Sequence, residues 1–214
     1  MKIAIIGAGN VGGALASSSV RAGHTVTLSA KDPAHADAKA KETGARAVES
    51  AADAVRDADV VILAVPYSAV DSVLDELGGA LAGKVLIDVT NRVKMEAMAD
   101  SVDGTSAAEH IQKKAPKARV AKAFNYAFAS KQADPKADGQ SIDGYVASDD
   151  ADAKKTTLEL ARSIGFRPID VGPLAMSRAL EAMAILNIAL QIQHGWPWQS
   201  GFKLIGPTPD TKPS

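Results

Sequence analysis

Three glycines near the N-terminus are the residues whose type and spacing point most directly to chemistry. They form Gly7-Ala8-Gly9-Asn10-Val11-Gly12, a G-x-G-x-x-G motif between the apolar run KIAII and a helical pattern. In that context the first glycine permits a tight turn, the second lets the backbone approach a pyrophosphate, and the third lets helix and strand pack closely. The free amides and the dipole of the helix favour an anion. The motif predicts a dinucleotide site, and the alternative is a plain glycine-rich turn.

The end of the second strand indicates which dinucleotide binds. An acidic residue there holds the ribose hydroxyls of NAD, whereas small polar and cationic groups suit the 2'-phosphate of NADP. The strand ends Leu28-Ser29-Ala30-Lys31, and Asp32 lies near the acidic position. Because Asp32 precedes Pro33, it is expected to cap a helix instead. Ser29 and Lys31 then face the 2'-phosphate, which favours NADP over NAD.

Polar side chains follow later strands at the edge where open α/β sheets bind ligands. Tyr67 follows the fourth strand, and its alternative is a half-buried ring whose hydroxyl reaches water. Asn91 and Asn125 follow two further strands and could hold a carboxamide, with turn formation as the alternative. These three side chains are candidates for the nicotinamide end of the site.

No clear general acid or base emerges, so we predict no catalytic side chain and no metal ligands. Lys122 could donate a proton, but a lysine near a strand end more often extends to solvent. Tyr126 is a similar case, and Arg178 could pair with Glu181 or reach an acceptor's anionic tail. The histidines are poor candidates, of which His194 is the best placed; they are His24, His35, His110 and His194. Hydride transfer between stacked cofactors needs no protein acid.

The composition of the 214-residue chain restricts its partners. With 24 Lys and Arg against 25 Asp and Glu, it has no basic field for nucleic acid or an anionic membrane. It has no cysteine, which excludes thiolate chemistry. The N-terminal apolar stretch is too short for a secretory signal, so we expect a cytoplasmic protein. A small-molecule electron acceptor is the expected partner.

Strand-length apolar runs alternate with helical patterns through "RVAKAF", which predicts an α/β Rossmann-type doubly wound, mostly parallel sheet. A polar loop over 130–140 and the strand DGYVAS follow. A helix over 149–164, capped by Ser148 or Asp149, and the strand FRPIDV come next. We divide the chain into a dinucleotide-binding domain over 1–172 and a C-terminal helix and tail over 173–214.

The apolar helix predicted from about Met176 to His194 suggests a homodimer. The run 178–192 is interrupted by polar residues and is shorter than the roughly 20 residues that span a bilayer. Its apolar side chains occupy more than one stripe, whereas a monomer's surface helix buries only one. We expect a symmetry mate to cover the second stripe, and the alternative is burial within one subunit. These side chains are Leu180, Met183, Ile185, Leu186, Ile188, Leu190 and Ile192.

Several segments together resemble the NADPH-dependent coenzyme F-420 reductases. The matching stretches are IIGAGNVGGALA, AVPYSAV, IDVTN, VAKAFN, GYVASDD and, most specific, GFRPIDVGPLAMSRALEAMAILNIALQIQHG with GFKLIG. The earlier motifs are shared with many Rossmann enzymes, including pyrroline-carboxylate reductases. The resemblance implies a Rossmann domain with a small C-terminal portion, a homodimer, and hydride exchange between NADP(H) and a deazaflavin.

The resemblance also implies roles for particular residues. Ser29, Ala30 and Lys31 would select the phosphate, Val65-Pro66 would lie beside the cofactor, and Asn91 and Asn125 near the nicotinamide. Archaeal members have Thr at the position of Ala8, Arg at that of Lys31 and His at that of Asn125. These departures weaken the expected phosphate grip and leave the acceptor open between coenzyme F-420 and an ordinary flavin, which related metalloreductase domains use. The rivals are a reductase of a small imine or carbonyl compound and a non-catalytic NADP sensor.

Overall fold

Apolar strands form one eight-stranded sheet in the computed structural model, which describes residues 1–102 and 104–206. Two further strands form a small separate hairpin. In chain order the strands of both are β1 (Lys2–Ile6), β2 (Thr25–Ser29), β3 (Arg46–Ala47), β4 (Val60–Leu63), β5 (Val85–Asp88), β6 (Arg119–Ala123), β7 (Lys136–Ala137), β8 (Gln140–Ser141), β9 (Asp143–Ser148) and β10 (Arg167–Gly172). The sheet order is β10-β9-β6-β5-β4-β1-β2-β3, and β7 and β8 form a separate hairpin. This is the predicted Rossmann-type sheet.

Helices cover both faces of the sheet. They are α1 (Asn10–Arg21), α2 (Pro33–Thr43), α3 (Ala51–Val55), α4 (Val70–Leu77), α5 (Ala107–Lys114), α6 (Ala129–Ala133), α7 (Ala151–Ser163) and α8 (Ser177–His194). Alternate residues of one strand enter different cores: Ile3 and Ile5 pack in one, Ala4 and Ile6 in the other. Burial on both faces explains why the central strands are apolar throughout.

The chain after β6 differs from the prediction in two places. The region 130–140 is not a plain loop, because it contains most of α6 and the hairpin of β7 and β8. These elements are too short to give a periodic pattern, although Asp138-Gly139, both at positive φ, is a hairpin-turn signal. The strand β9 runs antiparallel to β6, since a five-residue helix cannot provide the crossover that parallel pairing needs.

The start of α7 also differs from the prediction. Asp150 caps the helix by accepting a hydrogen bond from the amide of Ala153 at 2.8 Å. The two residues predicted as caps bind other amides. Ser148 Oγ accepts a hydrogen bond from the amide of Asp150, and the Asp149 carboxylate accepts one from the amide of Leu174. Three adjacent polar residues each serve a different amide, and sequence pattern alone does not separate them.

The helix α8 packs on the sheet through polar as well as apolar contacts. With the turn before it, it forms a segment, Leu174–His194, of 21 residues that is long and apolar enough to cross a membrane by length and composition alone. The expectation that this stretch falls short of a span is therefore wrong. Asn187 nevertheless donates to the carbonyl of Tyr126 at 3.1 Å, and Gln191 bonds Ser200 at 2.9 Å. Leu180 and Ala184 join the apolar core.

Candidate functional site

The glycine motif forms a tight turn between β1 and α1. Gly7 has φ +110°, and a Cβ atom there would lie 2.3 Å from the carbonyl oxygen of Ala64. A Cβ on Gly12 would lie 1.8 Å from the carbonyl oxygen of Gly7. A Cβ on Gly9 would meet no atom within 4 Å. The outer glycines are required by packing inside the protein, whereas the absent side chain of Gly9 leaves open space above the turn.

The start of α1 carries the features of an anion site. Gly9 is the N-cap and provides no side-chain cap, and the first turn contains no acidic residue. The first amides of this twelve-residue helix therefore have no side-chain acceptor, and no acidic side chain neutralises the positive end of the helix dipole. Ala8 is buried, Asn10 is exposed and Val11 is half-buried against the core. The open space at Gly9 and these amides fit a pyrophosphate.

Asp32, just after β2, is the N-cap of α2, as predicted. Its carboxylate accepts a hydrogen bond from the amide of Ala34 at 3.0 Å and caps α2, with Pro33 in the first turn. Lys31 is exposed. Ser29 differs from expectation, because its hydroxyl is buried and has no hydrogen-bond partner among the described residues. The exposed cationic group at the end of β2 is therefore Lys31, whereas the Ser29 hydroxyl lies inside the protein.

The loop after β4 lies next to the glycine turn. A Cβ on Gly7 would come within 3.2 Å of Val65 Cγ1, which places Val65 directly beside that turn. Pro66 is exposed, and Tyr67 begins a short 3-10 turn. The half-buried Tyr67 ring meets His110 edge-on at 6.1 Å, and partial burial raises the pKa of its hydroxyl.

Asn91 and Asn125 lie together, and each holds the other. Asn91 Nδ2 donates to the carbonyl of Asn125, and Asn125 Nδ2 donates to Asn91 Oδ1, both at 2.8 Å. Asn125 Nδ2 also donates to the carbonyl of Leu180 in α8 at 2.9 Å. Asn125 Oδ1 is buried and has no partner among the described residues. The side chains of the pair therefore link two strand ends and α8 instead of forming local turns, and they leave one acceptor oxygen without a partner among the described residues.

The turn that carries Asn125 is strained and is held in place by residues that the sequence analysis missed. The buried Phe124 has φ +62°, an uncommon conformation for a bulky residue. Gln132 Nε2 donates to the carbonyls of Phe124 and Ala127, both at 3.0 Å. Nothing in the local pattern marked Gln132, whose partners lie eight and five residues earlier, in the turn between β6 and α6.

A buried ionic cluster lies at the ends of β5 and β6. Lys122 is 0% exposed, and its Nζ donates to Asp88 Oδ2 at 2.8 Å, the Thr90 carbonyl at 2.6 Å and Glu181 Oε1 at 3.0 Å. Arg92 Nε lies 3.6 Å from Glu181 Oε2. The expectation that Lys122 reaches solvent is wrong, because two carboxylates stabilise its charge inside the protein. Its three hydrogens are all engaged.

The remaining acid and base candidates have structural partners. Tyr126 is fully buried, donates to the carbonyl of Asp143 at 2.8 Å and accepts from the amide of Tyr145, and burial raises its pKa. The exposed His194 ring stacks on Trp196. Arg178 pairs with Glu109 at 2.5 Å, so the expected pairing with Glu181 is wrong. Glu181 instead faces Lys122 and the amide of Ala107.

Two of the other histidines bond surface groups. The imidazole Nε2 of His24 lies 2.8 Å from Ser163 Oγ, and burial lowers the pKa of this histidine. His110 Nε2 lies 2.7 Å from Asp71 Oδ1. Both rings act in structural contacts between neighbouring elements.

Comparison with known proteins gives concordant matches. Residues 2–92 match the family described as NADP oxidoreductase, coenzyme F420-dependent. The F420-dependent NADP reductase of Methanothermobacter marburgensis is 35% identical over 213 residues, covering 91% of this chain and 94% of the relative. Metalloreductase STEAP3 of Rattus norvegicus is 31% identical over 188 residues, 86% of this chain, and the chain spans 36% of that relative's length.

A solved structure from Arthrobacter sp. FB24, provisionally named an F420-dependent NADP reductase, superposes on this chain with a TM-score of 0.86. It is 29% identical, and the match covers 96% of this chain and 100% of that one. The likeness therefore extends over the C-terminal segment as well as the nucleotide-binding half.

Proposed function

We propose, from the premise that the chain belongs to the family of coenzyme F420-dependent NADP oxidoreductases, that it transfers a hydride between NADP(H) and a deazaflavin or flavin. The observation that carries the nucleotide assignment is the arrangement at the ends of β1 and β2. The space above Gly9 is open, Asp32 is engaged in capping α2, and Lys31 is exposed. A cation stands where an NAD site would place an acid.

The chain's residues would hold the two ends of the dinucleotide separately. The amides at the start of α1 would bind the pyrophosphate, and Lys31 would face the 2'-phosphate. Val65 would limit the cofactor's movement beside Gly7, and Asn125 Oδ1 would accept a hydrogen bond from the carboxamide after a small movement of its side chain. When bound, the nicotinamide supplies the hydride chemistry.

A deazaflavin or flavin acceptor suits the state of the two acid and base candidates nearest Asn125 in the part of the chain that the structure describes, Lys122 and Tyr126, whose hydrogens are engaged. A flat ring stacked against the nicotinamide accepts a hydride through geometry, and the protein only needs to orient both rings. An imine or carbonyl reductase would need a positioned donor. Lys122 and Tyr126 lie near that position, but their hydrogens are engaged inside the protein. This favours hydride transfer between two cofactors over the small-substrate reaction.

Single-turnover kinetics tests the proposal. NADPH-loaded protein is mixed in a stopped-flow instrument with a deazaflavin, FMN or a panel of cyclic imines, and the loss of NADPH absorbance is followed. We expect rapid oxidation with the deazaflavin or FMN and none with the imines. Oxidation by imines alone would replace the proposal with the small-substrate reductase, and NADPH binding without any oxidation would indicate a sensor.

We also propose that the protein is a homodimer formed through α8. Leu180 and Ile185 pack inside the subunit, whereas Leu186 is 52% and Ile192 49% exposed. Trp196 and Trp198, just beyond the helix end, are also partly exposed, at 45% and 44%. A second copy related by a two-fold axis would cover side chains that one subunit leaves in water.

A further inference from the structure

The side-chain amides of Asn91 and Asn125 fix each other's orientation. Asn91 Nδ2 donates to the backbone carbonyl of Asn125 at 2.8 Å. A carbonyl oxygen only accepts, so this contact determines which end of the Asn91 amide carries the hydrogens. Asn91 Oδ1 is then the acceptor that receives Asn125 Nδ2, also at 2.8 Å. The direction of both side-chain hydrogen bonds therefore follows from one backbone carbonyl.

A second backbone carbonyl, in α8, imposes the same orientation on Asn125. Asn125 Nδ2 donates to the carbonyl of Leu180 at 2.9 Å as well as to Asn91. An amide nitrogen has two hydrogens, and both are engaged in these contacts. Turning the amide over would place its oxygen against two other oxygens. Asn125 thus presents its oxygen, and not its nitrogen, to a ligand.

Asn125 Oδ1 is the end of this hydrogen-bonded chain that is left for a ligand. The oxygen is buried in a residue that is 7% exposed, and it has no hydrogen-bond partner among the described residues. A buried acceptor without a donor is unfavourable. Asn125 follows β6 at the sheet edge where open α/β folds bind ligands. The chemical complement of this atom is an N–H group.

The residues on either side of the Asn91–Asn125 contact are held by the buried ionic cluster. Asp88 accepts a hydrogen bond from the amide of Thr90 at 2.8 Å, and Lys122 donates to the carbonyl of Thr90 at 2.6 Å. These two contacts fix the backbone just before Asn91. On α8, Glu181 binds Lys122 one residue after the carbonyl that Asn125 uses. The amide pair is therefore supported by anchored elements on both sides, as a preorganised site requires.

We propose that Asn91 is a positioning residue, which acts through Asn125 and makes the site require an amino donor on the pyridine ring of the dinucleotide. This inference rests on the proposed NADP(H) function, in which Asn125 Oδ1 faces the carboxamide. It adds that Asn91 determines which half of the carboxamide is recognised, namely the amino group and not the carbonyl. Without Asn91, the Asn125 amide keeps only the Leu180 carbonyl to orient it and can present its nitrogen instead.

Two analogues of NADP⁺ test the two halves of the carboxamide separately. The 3-acetylpyridine analogue replaces the amino group by a methyl group and keeps the carbonyl. The thionicotinamide analogue keeps the amino group and replaces the carbonyl oxygen by sulfur. Dissociation constants are measured by titration calorimetry at pH 7. For the unaltered protein we expect the acetylpyridine analogue to bind about tenfold more weakly than NADP⁺, and the thionicotinamide analogue within about twofold of it.

Two substitutions at Asn91 separate its orienting role from its packing. Asn91→Leu removes both hydrogen bonds, and the penalty for the acetylpyridine analogue should fall to about twofold or less. Asn91→Asp keeps an oxygen that accepts from Asn125 Nδ2, so the penalty should return to about tenfold, although the contact with the Asn125 carbonyl is lost. Circular dichroism verifies the fold, and Asn91→Ala supplies the comparison if the leucine variant does not fold.

The matched control is Asn187→Leu, which also removes a buried amide that supports this turn. Asn187 Nδ2 donates to the carbonyl of Tyr126, the residue after Asn125, at 3.1 Å. The variant should lose stability, as Asn91→Leu does, but keep the penalty for the acetylpyridine analogue. An equal fall of that penalty in Asn187→Leu would mean general loosening of the turn and would overturn the inference.

Two further results would overturn the inference. These are equal binding of NADP⁺ and the acetylpyridine analogue by the unaltered protein, and an unchanged penalty in a folded Asn91→Leu protein. Either result, with tight NADP⁺ binding, leaves the proposed function standing. Failure of the unaltered protein to bind NADP⁺ would instead remove the proposed function, and the inference with it.

Discussion

Lys122 Nζ donates to Glu181 Oε1 across 3.0 Å, and neither side chain reaches solvent appreciably. This contact joins β6 to α8, and Glu181 Oε1 also accepts from the amide of Ala107 at the start of α5. One carboxylate therefore ties the C-terminal helix to two elements of the nucleotide-binding half. The carbonyl of Leu180, one residue earlier, holds Asn125, so the same helix turn orients the candidate nicotinamide end.

Replacing Lys122 by Met should destabilise the protein by about 3–5 kcal/mol, since Asp88 and Glu181 would be left as buried charges without their partner. Urea unfolding at pH 7 measures the free energy. The matched control is Lys113→Met, at an exposed position of α5, which should change it by no more than about 0.5 kcal/mol. Equal stability of the two variants would contradict a structural role for the buried cluster.

Alanine at Gly9 and at Gly12 should have different effects. Gly9 has φ −69° and open space around it, so Gly9→Ala should fold with nearly unchanged stability but bind NADPH about tenfold more weakly. Gly12→Ala would place a methyl group 1.8 Å from a carbonyl oxygen and should lose about 1–3 kcal/mol of stability. Thermal unfolding and NADPH titration check both. Unweakened binding by a folded Gly9→Ala protein would argue against a pyrophosphate at the turn.

Lys31→Ala should weaken NADPH by about tenfold and change NADH by less than about twofold, because only NADPH presents a 2'-phosphate to the ammonium group. Titration with both nucleotides measures the effect. Lys41→Ala, in the last turn of α2, removes the same charge away from the site and should leave both affinities unchanged. Equal losses for NADPH and NADH in Lys31→Ala would reject the NADP assignment.

The contact between Glu109 and Arg178 should stabilise the fold in a defined pH range. The Arg178 hydrogen bond, opposed by partial burial and assisted by Ser106, lowers the pKa of Glu109 from 4.5 to about 2. The folded pKa lies below the unfolded one, so the stabilisation is complete above about pH 5 and is lost as the pH falls towards 2. Glu109→Gln should unfold at a lower temperature than the unaltered protein at pH 7, and the difference should shrink by pH 2.5. A difference independent of pH would mean that charge is not responsible.

Leu186→Asp should convert the proposed dimer into a monomer, because the substitution places a charge within the apolar surface of α8. Light scattering at micromolar concentration measures the mass, and circular dichroism verifies the fold. Ala52→Asp, at an exposed position of α3, adds the same charge on a different helix and should remain dimeric. A monomeric unaltered protein, unchanged by NADPH, would remove the dimer proposal.

Local sequence patterns were sufficient for the glycine turn, the main helices and the central strands. The glycine turn and the start of α2 depend on interactions within a few residues, since Gly7 needs positive φ and Asp32 with Pro33 begins a helix. The strands β1 and β4 are covered on both faces by distant elements, and this burial is visible in the sequence as continuous apolar runs. Such features leave their signal in the sequence itself. The preference for NADP over NAD, inferred from the end of β2, stays a prediction that the Lys31→Ala titration tests.

Only the tertiary structure decided which polar side chains are buried and which partners they bind where separate elements meet at the sheet edge. The charge of Lys122 is stabilised by residues 34 positions before it and 59 after it, so no local pattern distinguishes this buried lysine from one that extends to water. The pairing of Asn91 with Asn125 and the contact of His35 with Ala8 likewise join separate elements. Hydrogen bonding and burial of these groups depend on the fold bringing them together, because electrostatic stabilisation depends on distance in space and not on separation along the chain.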